Sequence, residues 1–226
     1  MDDRLIGRAG FLGIVGAGVA GLFWGKDASG LLGRLTPNAL PAIGPGSGWR
    51  IYTIGSSMPN LDRSTYRLRV EGHVERPRSF SLAELASLPQ TEEVRDFHCV
   101  TGWSVKHVRW RGVRLSDFLD EIAPSSGARS VRFFSAEVPY DDSLTLEQGR
   151  LPDVMLATEM DGAPLPRPHG APVRLVMPEM YGYKNVKWVN RIEVRTNILP
   201  GYWELHGYDT DAWVGRSNGS VGFFSA

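Results

Sequence analysis

The chain of 226 residues contains one cysteine, Cys99. A single thiol cannot close an internal disulfide, and it cannot build a structural zinc site, which needs several Cys and His ligands at close spacing. Net charge is also missing, because 25 basic residues balance 25 acidic ones. That balance excludes a dominant nucleic-acid-binding face and a polybasic membrane patch, so any anionic ligand has to be held by a local cluster. No clear membrane span is present either. The apolar run over residues 11–24 is charge-free until Lys26, but it falls short of the roughly twenty residues that cross a bilayer.

The amino-terminal run contains Gly16-Ala17-Gly18-Val19-Ala20-Gly21, which matches the spacing of a dinucleotide-binding loop. That loop works only after a buried strand and with an acidic residue about twenty positions on. Both are missing here. The order basic (Arg4, Arg8), apolar (11–24), polar is instead that of an export signal. Gly7-Arg8-Ala9-Gly10-Phe11-Leu12 carries half of a twin-arginine motif. Residues 1–35 are therefore expected to form an export signal or a retained membrane anchor, which places the protein on the periplasmic or extracytoplasmic side. Residues 36–48, rich in Gly, Pro and Ser, read as a linker. Residues 49–226 read as one folded domain.

Within that domain, 66–72 alternates apolar and polar residues as a half-buried strand does. Ser81-Leu82-Ala83-Glu84 opens a helix with a capping box, and 115–122 forms a second short helix. Residues 131–135, 154–158, 173–177 and 188–194 read as strands, with a turn at Asp161-Gly162. Many short strands, few short helices and no strand–helix alternation predict an α+β domain with mixed or antiparallel sheets.

Phe97-His98-Cys99-Val100-Thr101-Gly102-Trp103-Ser104 follows the polar run 91–96 and reads as a loop leaving a short strand. Cys99 there is a buried filler, a metal ligand or a nucleophile. A thiolate is a soft metal ligand, and His98 and Arg95 are near enough in sequence to favour the anion. The nucleophilic reading needs a base, but adjacent residues on extended chain point apart. The ligand reading needs further ligands, and the chain offers none nearby.

This stretch, followed by Val108-Arg109-Trp110-Arg111-Gly112-Val113-Arg114-Leu115, resembles the molybdenum-cofactor domain of the sulfite oxidase family. The resemblance is closest to its periplasmic branch of protein-methionine-sulfoxide reductase catalytic subunits. The second block runs His169-Gly170-Ala171-Pro172-Val173-Arg174, then Pro178, Gly182 and Val186-Lys187-Trp188, and it is similar to the family's pterin-binding segment. The resemblance implies a sulfite-oxidase-type molybdopterin-binding fold of mixed β-sheets and short helices. It also implies a bound molybdenum–molybdopterin, with Cys99 as the protein's metal ligand. His98 and Trp103 then shape the catalytic surroundings. Tyr52, Thr53, Ile54, Thr101, His169, Arg174, Lys184, Val186 and Lys187 contact the cofactor. Trp203 and Tyr208 read equally as walls of a substrate funnel and as aromatics at the edge of the core.

Sulfite-oxidising members carry an arginine four residues after the cysteine, where this chain has Trp103. The sulfoxide-reducing branch has an acid two residues after it, where this chain has Thr101. The expected activity is two-electron oxygen-atom transfer on a sulfoxide or other small oxo compound, on a small molecule or borne by a protein. Sulfite oxidation and a cofactor-free binding module are the alternatives, with a cysteine hydrolase and a dinucleotide-dependent enzyme behind them. No haem-binding segment or immunoglobulin-like dimerisation domain is expected. The chain should therefore be a monomer that exchanges electrons with a separate partner, such as a membrane haem protein, and binds no nucleic acid.

Overall fold

The computed structural model describes residues 48–218. The expected export signal over residues 1–35 lies outside the described residues, as does the linker up to residue 47.

Two sheets carry the domain. The first has the order β2-β1-β10-β5-β6, with β1 at Leu68–Gly72, β2 at Arg78–Phe80, β5 at Ser130–Ser135, β6 at Asp141–Thr145 and β10 at Val189–Arg195. β1 and β10 pair parallel while their neighbours pair antiparallel, so the sheet is mixed. The second sheet runs β3-β4-β7-β8, with β9 paired to β7. Its strands are β3 Gln90–His98, β4 Ser104–Arg114, β7 Met155–Met160, β8 Ala163–Pro164 and β9 Arg174–Val176. Helices are short: α1 Leu82–Ser87, α2 Leu115–Ile122, α3 Leu146–Gly149 and α4 Tyr202–Leu205. The α+β expectation and its mixed sheets hold.

The local chemistry explains these elements. In α1, Ser81 Oγ accepts from Glu84 N while Glu84 Oε2 accepts from Ser81 N, so both expected halves of the capping box form. α2 buries Leu115, Phe118, Leu119 and Ile122, the i, i+3, i+4, i+7 stripe of an amphipathic helix. These residues join Leu68, Val70, Phe80, Val131, Phe133, Ile192 and Val194 in the larger core. A second apolar cluster of Trp49, Val108, Trp110, Met155, Ala157, Met160, Leu165 and Val176 lies on the second sheet.

β3 and β4 form a long antiparallel hairpin, and sequence periodicity did not reveal it. Its exposed and half-buried positions carry cross-strand ion pairs, among them Lys106–Asp96, Arg109–Glu92 and Arg114–Glu93, so the run that reads as polar loop is an ion-paired ladder. The register shifts between Arg95 and Phe97. There Asp96 accepts from His107 N and Lys106 Nζ, and His107 takes a positive φ of 56°. A bulge of this kind bends a strand and re-aims the side chains beyond it. Beyond this one lies Cys99.

Candidate active site

Cys99 sits at the tip of the β3–β4 hairpin, just after the paired residues His98 and Ser104. Cys99 N donates to Trp103 O, and Gly102 N donates to Cys99 O. Gly102 closes the turn at φ 88°, a left-handed conformation that strains any residue with a Cβ.

The thiol contacts Thr101 Oγ1 at 3.2 Å. Burial pushes the Cys99 thiol above its ordinary range, against smaller opposing pulls from Thr101, Arg50 and Trp103. The anion expected from His98 and Arg95 is therefore not supplied by those two residues. Arg95 is engaged by Glu93 and Asp153. His98 hydrogen-bonds Ser104 Oγ through Nδ1 at 2.8 Å, and burial, then Lys106, lowers its basicity so that it stays neutral. A metal cation, by contrast, displaces a thiol proton on binding.

An aromatic box joins this tip to the second sequence block. Trp49 packs on Phe97, Trp103 and Trp110, and its ring centroid lies 4.7 Å from that of His169. Trp103 also faces Tyr52 at 6.4 Å. The Arg174 guanidinium sits 4.9 Å from the Trp110 ring centre and 5.7 Å from that of Phe97. Gly182 packs directly on Phe97, because a Cβ there would fall 2.4 Å from Phe97 Cζ. Gly182→Ala must displace that ring, so it is expected to cost about 1–3 kcal/mol in the denaturant unfolding of the cofactor-free protein.

The positive charges of the block converge here. Arg174 is 2% exposed and donates to the carbonyls of His169, Leu175 and Asn185. Burial lowers it to about 10, and no carboxylate opposes that shift. Lys187 Nζ donates to Tyr52 O at 2.6 Å and lies 4.3 Å from the Trp188 ring centre. Burial lowers Lys187 to about 7. His169 falls to about 4 through burial first, then the Arg174 and Lys187 charges, so it is neutral at physiological pH. Tyr140 lies within electrostatic reach of both Cys99 and Arg174.

Two expected contacts turn elsewhere. Lys184 is 1% exposed, and its Nζ lies 2.5 Å from both Asp142 Oδ1 and Glu204 Oε1. It neutralises those buried acids and does not join the Arg174–Lys187 cluster. The Val186 side chain is fully buried in the larger core. Trp203 and Tyr208 pack at the edge of that core, with Tyr208 against Tyr183. Thr53 is exposed, and its hydroxyl donates to Gly55 O. Ile54 is held by its backbone N–H on Glu137. Sequence reasoning missed Trp49, Phe97 and Trp110 as walls of the site. The aromatic pair Phe97 and Trp103 flanking the lone cysteine was the available signal for the first wall, and no sequence signal marks Trp49.

These residues fit a molybdenum–pterin group. Arg174 is buried and Lys187 half-buried, with no carboxylate bonded to either, a setting made for an anion such as a phosphate. The Trp103 indole N–H is buried without an acceptor of ordinary geometry, although it lies close enough to Cys99 to favour its anion. Among the described residues no three His, Cys, Asp or Glu side chains gather as a metal site, which suits a cofactor that brings most of its own ligands.

Comparison with known proteins agrees. Residues 55–203 match the family described as oxidoreductase molybdopterin binding domain. An uncharacterized oxidoreductase of Bacillus subtilis, YuiH, is 34% identical over 154 residues, covering 67% of this chain and 77% of that protein. The protein-methionine-sulfoxide reductase catalytic subunit MsrP of Xanthomonas campestris is 33% identical over 180 residues, covering 73% of this chain. This chain spans about half of that subunit, 52% of its length. Among solved structures, the sulfane dehydrogenase SoxCD of Paracoccus pantotrophus superposes with a TM-score of 0.59 at 26% identity. That match covers 64% of this chain and 41% of SoxCD.

Proposed function

The chain belongs to the oxidoreductase molybdopterin binding domain family, and on that premise we propose that it reduces a sulfoxide to a thioether, taking up two electrons and two protons and releasing water. The observation that carries this reading is the pair Arg174 and Lys187, which has no carboxylate bonded to it and is joined to the hairpin tip of the single thiol Cys99, Arg174 through Phe97 and Lys187 through Tyr52 and Trp103.

The bound molybdenum–pterin group supplies two-electron oxygen-atom-transfer chemistry. The chain's own residues hold and tune it. Cys99 gives up its proton and serves as the soft protein ligand. Arg174 offers a planar fork and Lys187 a point charge to the cofactor's phosphate. His169, neutral and packed on Trp49, contributes ring N–H or N atoms without adding charge. Trp103, Trp49 and Tyr52 wall the Cys99 side with aromatic surface, which suits a neutral sulfoxide.

Sulfite oxidation is the second reading. The exposed Arg50, whose charge reaches Cys99, favours it by replacing in part the arginine that Trp103 displaces. The protein is exported by its first 35 residues and exchanges electrons with a separate partner, a membrane haem protein. The word "subunit" in the name of the Xanthomonas relative supports that division of labour.

Protein expressed in a molybdopterin-producing host is expected to contain molybdenum and pterin in near-equal amounts with the chain. It should turn over methionine sulfoxide with a reduced dye faster than it oxidises sulfite. Absence of molybdenum by elemental mass spectrometry would defeat the assignment. Faster sulfite turnover would move it to the second reading.

A further inference from the structure

We propose that Glu137 is a positioning residue whose carboxylate ties down segment 52–55, keeping that segment seated on Lys187 at the cofactor cluster. The inference rests on the molybdopterin reading of that cluster. Glu137 belongs to neither sequence block, and it does not face Cys99 in any contact described above.

Segment 52–55 is irregular chain with no strand partner. Two side chains reach it from opposite charges. Lys187 Nζ donates to Tyr52 O at 2.6 Å, and Glu137 Oε1 accepts from Ile54 N at 2.8 Å and from Gly55 N at 3.2 Å. A carboxylate that accepts two consecutive backbone N–H groups makes charge-assisted bonds, which are stronger than neutral ones. Glu137 is itself 6% exposed, so water does not readily replace it on those amides.

The run that carries Glu137 also holds the Lys187 end. Ser135 Oγ donates to Lys187 O at 2.8 Å and accepts from Glu137 N at 2.9 Å. Ala136 N donates to Trp188 O at 2.8 Å. Three successive residues, the last of β5 and the two after it, therefore fix the Lys187–Trp188 backbone and, through one carboxylate, the segment that caps the Lys187 amine. The Glu137 charge also opposes the effect of burial on Lys187 and favours its protonated form. Segment and lysine are thus positioned together.

The test is amide hydrogen exchange at Ile54 and Gly55 in cofactor-free protein, made in a host that lacks molybdopterin. Glu137→Ala is expected to speed exchange at both amides by at least about tenfold. Glu137→Asp, one methylene too short to reach, should move them the same way if the alanine variant does not fold. Glu137→Gln keeps an acceptor oxygen but loses the charge, so its exchange is expected to fall between those of wild type and Glu137→Ala. In the holoenzyme, the alanine variant should lose molybdenum and pterin on dialysis faster than wild type, with the glutamine variant restoring retention in part. Unchanged exchange in Glu137→Ala overturns the proposal. Equal loss in the alanine and glutamine variants also overturns it, because that marks general loosening in place of a tether. Wild type without molybdenum defeats the function proposed above and leaves the exchange result to stand by itself.

Discussion

Cys99→Ala protein, made in a host that supplies molybdopterin, is expected to keep its pterin and to lose at least about 100-fold in turnover, since even the partners of a metal ligand are worth 10–100-fold. Retention follows from the geometry. Arg174, Lys187 and His169 sit on the β9 side of the aromatic box and do not depend on the thiol for their bonds. The turnover loss follows because the chain offers no second thiolate, Cys99 being its only cysteine. Cys99→Ser restores an oxygen donor but a harder one, so it should recover little. The cofactor-free Cys99→Ala protein should unfold within about 1 kcal/mol of wild type, as expected for a partly buried group with one hydroxyl neighbour. An unaltered metal absorption spectrum in Cys99→Ala would remove the ligand assignment. A large loss of stability would return Cys99 to a packing role. His98→Ala gives the contrast. Its ring is occupied by Ser104 Oγ, so its effect on turnover should be well below that of Cys99.

The parts of the fold that could be read from the sequence were those governed by local rules. The α1 capping box, the short helix α2 and the turn at Asp161-Gly162 depend on residues a few positions apart, and each forms as expected. The β3–β4 hairpin depends on pairing across the sheet. Glu92, Glu93 and Asp96 look like loop residues in one dimension and become strand residues only when Arg109, Arg114 and Lys106 reach them diagonally from β4. The site divides in the same way. Cys99, Arg174 and Lys187 were visible because two blocks resemble a known family. Glu137 acts on residues 82 and 83 positions away, and no periodicity or motif signals such a contact. Lys184 lies in the block that resembles the pterin-binding segment, and the resemblance alone counts it among the cofactor contacts. The lysine count of a motif does not show which amine turns inward. Asp142 and Glu204 decide that, and both lie outside the block.

Lys184→Met makes that distinction measurable. The Lys184 amine is buried between Asp142 and Glu204, and Glu204 in turn accepts from Gly201 N, which anchors α4. Removing one partner of a buried ion pair leaves charge uncompensated and typically costs about 3–5 kcal/mol. In a domain of this size that corresponds to a fall in Tm on the order of 10 °C. The penalty should depend on pH. Burial raises Asp142 to about 7, with Glu204 adding to the rise and Lys184 opposing it. A carboxyl whose folded pKa lies above its unfolded value contributes stability that is complete below about pH 4 and is lost as pH rises through the folded value. Without Lys184 the folded pKa moves further up, so the difference between variant and wild type should be smallest near pH 4 and largest above pH 7. Lys184→Met combined with Asp142→Asn should recover part of the loss, because the two residues share one interaction. The cofactor is the deciding readout. At a temperature where Lys184→Met remains folded it should hold molybdenum and pterin as wild type does, since Arg174 and Lys187 are untouched. A folded Lys184→Met protein depleted of pterin would put Lys184 back among the cofactor contacts, whereas depletion in Lys187→Met alone would leave the phosphate to the cluster around Arg174.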